Sequence, residues 1–225
     1  IAEAEAAGRL ARYYGGLGEP SDAATYFERA LNAGKRIGRA WEARGAILTG
    51  LANSVADLGD TAQAMVHYRE ALQEARVTGD RRAMSNALNS LGTCCAALGS
   101  QREAIGFYEQ ALEISRELRD ARLEGNILNN LGNACAESGD RRAATEHYRQ
   151  ALAISRETGD KSKQAGRLVN LASVLADGRD ARAAVDHLNE AMELYRELGD
   201  ARAEAQCAWS LALLMEQKRL YSRAI

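Results

Sequence analysis

The sequence predicts an all-α fold, an α-solenoid of antiparallel helix pairs, on three observations. The stretch ALNSLGTCCAALGSQREAIGFYEQALEISRELRD, residues 87–120, returns as ILNNLGNACAESGDRRAATEHYRQALAISRETGD, residues 127–160, 40 positions later. The apolar and small residues Leu91, Ala104, Tyr108, Ala111 and Leu112 have partners at Leu131, Ala144, Tyr148, Ala151 and Leu152, and the frame extends to Leu51, Ala64, Tyr68 and Ala71 and to Leu171, Ala184, Leu188 and Ala191. Turn residues fall at fixed places between these marks. A period of this size means units that cannot bury their apolar faces alone and must stack.

Residues 1–225 accordingly read as one solenoid, with units at about 1–40, 41–80, 81–120, 121–160 and 161–200 and a partial unit at 201–225. Each full unit holds a helix A and a helix B. In the first, Ile1 to Gly16 reads as helix A, Gly18-Glu19-Pro20-Ser21 as the turn, and Pro20 fits the first turn of helix B, where its missing N–H costs nothing. Ala23, Phe27 and Ala30 precede Ala64, Tyr68 and Ala71 by 41 residues, so one extra residue lies around Gly34 to Arg39. The spacing is 40 thereafter. In the third unit, helix A should run from about Arg81 to Leu98 and helix B from about Gln101 to Leu118.

The joints carry their own chemistry. Gly99-Ser100 suits a left-handed helix end followed by a cap, Ser100 with Glu103 reads as a capping box, and Asp60 with Gln63 resembles one. Asp80, Asp120, Asp160 and Asp200 should cap each new helix A after Gly79, Gly159 and Gly199 end the previous helix B; Arg119 replaces glycine at one joint, which should be less relaxed. Ala64, Ala104, Ala144 and Ala184 should let helix B approach helix A, and Ala71, Ala111, Ala151 and Ala191 the next unit, while Tyr68, Tyr108 and Tyr148, with Phe27 and Leu188, fill the larger spaces. The last unit shows Leu211, Ala212, Met215 and Ala224 in frame. The chain does not begin with methionine and stops one turn into its last helix B, which points to a piece of a longer protein with an apolar end.

Composition excludes several function classes. Apolar content of 46% with 27% charge suits a folded, soluble chain, and a net charge of −2 gives no electrostatic footprint for nucleic acid. No apolar run reaches membrane-spanning length and no signal peptide is evident, so a cytoplasmic location and no membrane partner are expected. Cys95 and Cys135 stand one repeat apart on neighbouring helices, a poor geometry for a disulfide, and Cys94 and Cys207 have no repeat partner; all four read as small buried hydrophobes. There is no Gly-rich phosphate loop, zinc spacing or nucleophile beside a base, so no enzyme, cofactor or metal is expected. His67, His147 and His187 lie whole repeats apart, too far to share a metal, and read as packing residues.

Leu91, Gly92, Cys95, Ala104, Tyr108 and Ala111, and again Leu131, Gly132, Cys135, Ala144, Tyr148 and Ala151, resemble the small and large positions of the tetratricopeptide repeat. The resemblance covers essentially the whole chain. It implies a right-handed superhelix whose concave face, lined by helix A, binds partner segments. Two features depart from the family pattern: Lys35, Arg76, Arg116, Arg156 and Arg196 stand where a helix-ending proline is usual, so helix B should run on, and the unit has 40 residues, not 34. That length resembles the long-repeat branch of spindle-orientation adaptors and of bacterial signalling proteins, where such repeats follow a nucleotide-binding switch. The groove lacks the lysines of the family's carboxylate-clamp sites.

The candidate partner-binding residues are Asn53, Asn86, Asn89, Asn126, Asn129, Asn130, Asn133 and Asn170, on the helix A face predicted to line the groove. An Asn amide donates and accepts, so a row of them can hold a peptide by its backbone whatever its sequence. The arrangement resembles the asparagine ladder of the O-GlcNAc transferase repeat domain; Asn53, Asn130, Asn133 and Asn170 also stand where ordinary family members carry Asn. Asp57, Glu137 and Asp177 recur near the end of helix A, answered across the turn by Arg141, Arg142 and Arg182. Trp41 and Trp209 bracket the regular region and either anchor a partner or cover an apolar end. The function expected is a non-enzymatic protein–protein interaction scaffold binding a polypeptide segment of a partner or of its own parent protein. The alternatives are a sensor segment of a larger nucleotide-switch signalling protein and a structural solenoid that self-associates end to end.

Overall fold

The computed structural model describes residues 2–35, 41, 43–177 and 180–223, with the side chains of 177 and 217–223 outside the description. The extra residue near 34–39, the side chain of Asp177 and Ala224 therefore lie wholly or largely outside it. Among the described residues there are eleven helices and no strand: α1 (Ala2–Gly16), α2 (Pro20–Gly34), α3 (Arg44–Asp57), α4 (Thr61–Thr78), α5 (Arg81–Ala97), α6 (Gln101–Glu117), α7 (Ala121–Glu137), α8 (Arg141–Glu157), α9 (Lys161–Asp177), α10 (Ala181–Leu198) and α11 (Ala201–Arg223). The helices form two compact units, Ile1–Leu118 with α1–α6 and Arg119–Ile225 with α7–α11. In each unit a helix packs on its neighbour in sequence, and short turns make the pairs antiparallel: a solenoid of helical hairpins. No described helix is long and apolar enough to cross a membrane.

Local chemistry explains the boundaries. The Asp60, Asp80, Asp120, Asp140, Asp160, Asp180 and Asp200 carboxylates each accept the backbone N–H three residues on, at 2.9–3.3 Å. Such a cap is worth about 1 kcal/mol. The expected capping box at Ser100 does not form, because the Ser100 side chain makes no cap bond. Its backbone N–H, which Glu103 would have answered, already donates to the Cys95 carbonyl at 2.8 Å. Helix B runs through Arg76, Arg116, Arg156 and Arg196, as the missing proline allows, whereas Lys35 sits at the cap. Gly79 ends α4 at φ 71°, and at the corresponding joint Arg119 takes φ 53°, the one non-glycine with positive φ among the described residues. A side chain in this region costs roughly 1–2 kcal/mol, so that joint carries strain.

The interior follows the repeat. Ala64, Ala104, Ala144 and Ala184 are fully buried, and Ala71, Ala111, Ala151 and Ala191 nearly so. Tyr108 and Tyr148, both buried, lie on Gly92 and Gly132 of the paired helix A; a Cβ on either glycine would sit 2.6 or 2.5 Å from the tyrosine Cε1. Lys161–Glu197 at 2.7 Å and Arg81–Glu117 tie the start of a helix A to the end of its helix B, at exposed sites where such pairs contribute up to about 1 kcal/mol. The four cysteines are buried and unbridged.

Burial sets the pH response of this interior. Tyr68 and Tyr148 are pushed up to about 12, chiefly by loss of hydration, with Asp57 and Glu137 respectively among the lesser causes. The folded state holds these phenol protons after the unfolded chain, with ordinary values near 10, has released them. Their contribution to stability is therefore complete below pH 10 and lost as pH rises toward 12. Urea midpoints across pH 9–12 should fall more steeply for the native chain than for the Tyr68→Phe/Tyr148→Phe double variant; parallel curves would contradict the assignment.

Candidate functional site

The A helices of one unit meet along a shared edge: α1 with α3 and α3 with α5 in the first, and α7 with α9 in the second. Four register positions repeated every 40 residues mark the A face of each unit. On α3 they hold Ala46, Thr49, Gly50 and Asn53; on α5, Asn86, Asn89, Ser90 and Thr93; on α7, Asn126, Asn129, Asn130 and Asn133; on α9, Gly166, Val169, Asn170 and Ser173. None is charged. On α3, α5, α7 and α9 these positions give phosphate or carboxylate no cationic partner and offer amides and hydroxyls instead.

The structure divides the asparagines by what already engages them. Asn53 and Asn133 accept the phenol O–H of Tyr68 and Tyr148, each at 2.6 Å. Those amide oxygens therefore serve the joint between helix A and helix B of one hairpin. In the third hairpin Thr93 Oγ1 takes the same role, accepting from Tyr108 at 3.2 Å. The spacing of 15 between each tyrosine and its polar partner was present in the sequence, yet only the apolar half of the tyrosine entered the expectation.

Asn126, Asn129 and Asn170 link one A helix to the next. Asn170 Nδ2 donates to Asn129 Oδ1 at 3.0 Å. Arg167 Nη2 donates to Asn126 Oδ1 at 3.4 Å, and Arg167 Nη1 to the Ala151 carbonyl of α8 at 2.6 Å. Asn89 and Asn130, in adjacent rows of the register, are half-buried, and Asn86 is exposed. The Asn129–Asn170 bond uses one acceptor and one donor, which leaves the Asn129 amide nitrogen and the Asn170 amide oxygen. One donor and one acceptor side by side match the C=O and N–H of a peptide backbone.

Arg167 was not foreseen. It occupies the register of Ile47, Ala87 and Ile127, all core residues, and is itself 4% exposed. Burial lowers its pKa, with Asp160 opposing in the lesser role. The guanidinium fits because Gly125 of α7 lies beneath it, where a Cβ would stand 2.8 Å from Nη2. The two tryptophans also part company. Trp41 is buried over Gly34, whereas Trp209 is 74% exposed on α11. His67, His147 and His187 are half-buried on separate hairpins, and no group of metal-ligating side chains occurs among the described residues.

Comparison with known proteins places this geometry. A family profile described as tetratricopeptide repeat matches residues 43–117 and 102–157, and a second of the same description matches residues 4–37. A search of curated proteins returns no match. Among solved structures, BtubC (BKLC) from P. vanneervenii is 22% identical, with a TM-score of 0.69 and 88% of each chain covered. The apo form of RapI superposes with a TM-score of 0.80 at 16% identity, over 95% of this chain and 60% of its own. A Rap protein complexed with competence and sporulation factor gives 0.68 at 19% identity, over 95% and 64% respectively. This chain therefore spans somewhat under two thirds of either Rap protein, and identities this low speak for the fold alone.

Proposed function

This chain belongs to the tetratricopeptide repeat family, and we propose that it is a non-enzymatic protein–protein interaction scaffold that holds an extended polypeptide segment on its A face. The segment belongs to a partner or to another part of a larger protein. The observation that carries the reading is the Asn129–Asn170 pair, which keeps one amide donor and one amide acceptor for a third group on an uncharged face. In the second unit Asn126 and Asn130 extend the same chemistry and Asn133 holds a hairpin that presents it; in the first, Asn86 and Asn89 carry amides on that unit's own A face and Asn53 holds a hairpin behind it. Backbone recognition of this kind binds many sequences with similar strength, so selectivity has to come from side-chain contacts beside the amides. The Rap protein complexed with competence and sporulation factor is a likeness of fold to a protein solved with a bound partner.

The test begins with segments selected from a random peptide display library on the intact chain. Affinity for a selected segment is then compared between the native chain and the Asn129→Ala/Asn130→Ala/Asn170→Ala variant, all three on the second unit. A loss of tenfold or more with unchanged helicity is the expected result. Unaltered affinity removes the A face from the account.

A further inference from the structure

Resting on that reading, we infer that the A face of the second unit contains a selectivity pocket beside its amide pair, which takes a bulky apolar side chain of the bound segment together with an adjacent carboxylate. The register puts it there. Trp209 and Ser210 continue the rows of Asn129 and Val169 and of Asn130 and Asn170 by a further 40 residues, so α11 presents the same face as α7 and α9. The chemistry changes along the row, from amide at Asn129 to apolar at Val169 and Trp209.

A cavity of about 630 Å³ opens at this change, between Val169 of α9, Tyr195 of α10 and Arg202, Gln206, Cys207 and Trp209 of α11. Its size falls in the range that holds a small ligand or one large side chain with flanking backbone. Cys207, 2% exposed, is its buried member, while Trp209 is largely exposed; Leu213, one helical turn further along α11, is 49% exposed. Solvated indole surface lining an apolar recess gains from being covered by another apolar group. Arg202 is the one charged residue in the described lining. An exposed guanidinium there favours an anionic neighbour to the apolar side chain and disfavours a cationic one. Gln206 and Ser210 add neutral polar contacts at the rim.

Trp209 is also the reporter. The chain has two tryptophans, and the other, Trp41, is buried in the first unit. The probes are blocked heptapeptides of Gly and Ser with a central Leu-Asp, Leu-Asn, Leu-Lys or Ala-Asp pair, titrated into the intact chain. The Leu-Asp peptide should shift tryptophan emission to the blue, saturably, and protect it from acrylamide. Ala-Asp should bind about tenfold more weakly or worse, and Leu-Lys more weakly than Leu-Asn. Arg202→Gln should abolish the preference for Asp over Asn, and Trp209→Ala, at an exposed site, should weaken Leu-Asp binding without loss of helicity.

Equal responses to all four peptides, or none at millimolar concentration, overturn the pocket. So does a blue shift that depends on protein concentration alone, which means a second copy fills the cavity. The library-selected segments separate the two readings. A segment weakened by the asparagine substitutions but untouched by Trp209→Ala refutes the pocket and leaves the A face standing. A segment weakened by neither refutes both.

Discussion

Replacing Tyr148 by alanine is expected to lower the unfolding free energy by about 3–5 kcal/mol, the range for emptying a large aromatic site in a packed core. The ring is 3% exposed and lies on Gly132, and its hydroxyl donates to Asn133 at 2.6 Å. Alanine removes the ring's share of the packing between α7 and α8 together with the hydrogen-bond partner of Asn133. Tyr148→Phe keeps the ring and loses only the hydrogen bond, so it should cost about 1 kcal/mol. Gly132→Val approaches the same joint from the other side and should cost about 1–3 kcal/mol, because its added carbons meet a ring that cannot retreat. Urea unfolding followed by circular dichroism measures all three. In a stacked fold the damage should concentrate in the hairpin and its neighbours. An alanine variant as stable as the phenylalanine one would remove the ring's contact with Gly132 from the account.

Arg167 gives the second large effect, with a sign that ordinary core logic would miss. Its guanidinium is buried and donates to two neutral oxygens, Ala151 O and Asn126 Oδ1, with no carboxylate bonded to it among the described residues. A buried charge so placed is compensated only in part. Arg167→Met keeps the length and discards the charge, and is expected to raise stability by about 1–3 kcal/mol. Arg167→Ala also discards the charge but leaves a hole beside Gly125, and should fall about 2–4 kcal/mol below the methionine variant. A methionine variant clearly less stable than the native chain would show that the two hydrogen bonds outweigh the desolvation. The native arginine also holds the Asn126 oxygen, so the methionine variant should bind a selected segment more weakly while being the more stable protein.

The fold was legible because its causes are local and repeated. The Asp caps at 80, 120, 160 and 200, the alanines at the hairpin joints and the tyrosines packed there each recur at a fixed spacing, so every copy corroborates the others; the caps at Asp140 and Asp180 went unread. The joint misread at Ser100 lacks both halves of the expected box: the hydroxyl makes no cap bond, and the backbone N–H that Glu103 would have answered donates to Cys95 O. The candidate site was legible to the level of the helix face and no further. Asn133 and Asn129 look alike in sequence, yet one faces its own hairpin's tyrosine and the other the next A helix. Side-chain direction on a helix separates them, and register alone does not report it. Arg167 broke the pattern in the opposite way, since a charged residue in an apolar register reads as an exposed exception until Gly125 is seen to make room for it.

The side-chain amide resonances of the asparagines test the central claim most directly. In an assigned spectrum titrated with a selected segment, the NH2 pairs of Asn129, Asn130 and Asn170 should shift together and saturate with the binding curve, while those on helix B stay in place. Saturating binding that leaves the three A-face amides unmoved and shifts residues of α8 and α10 instead would contradict it.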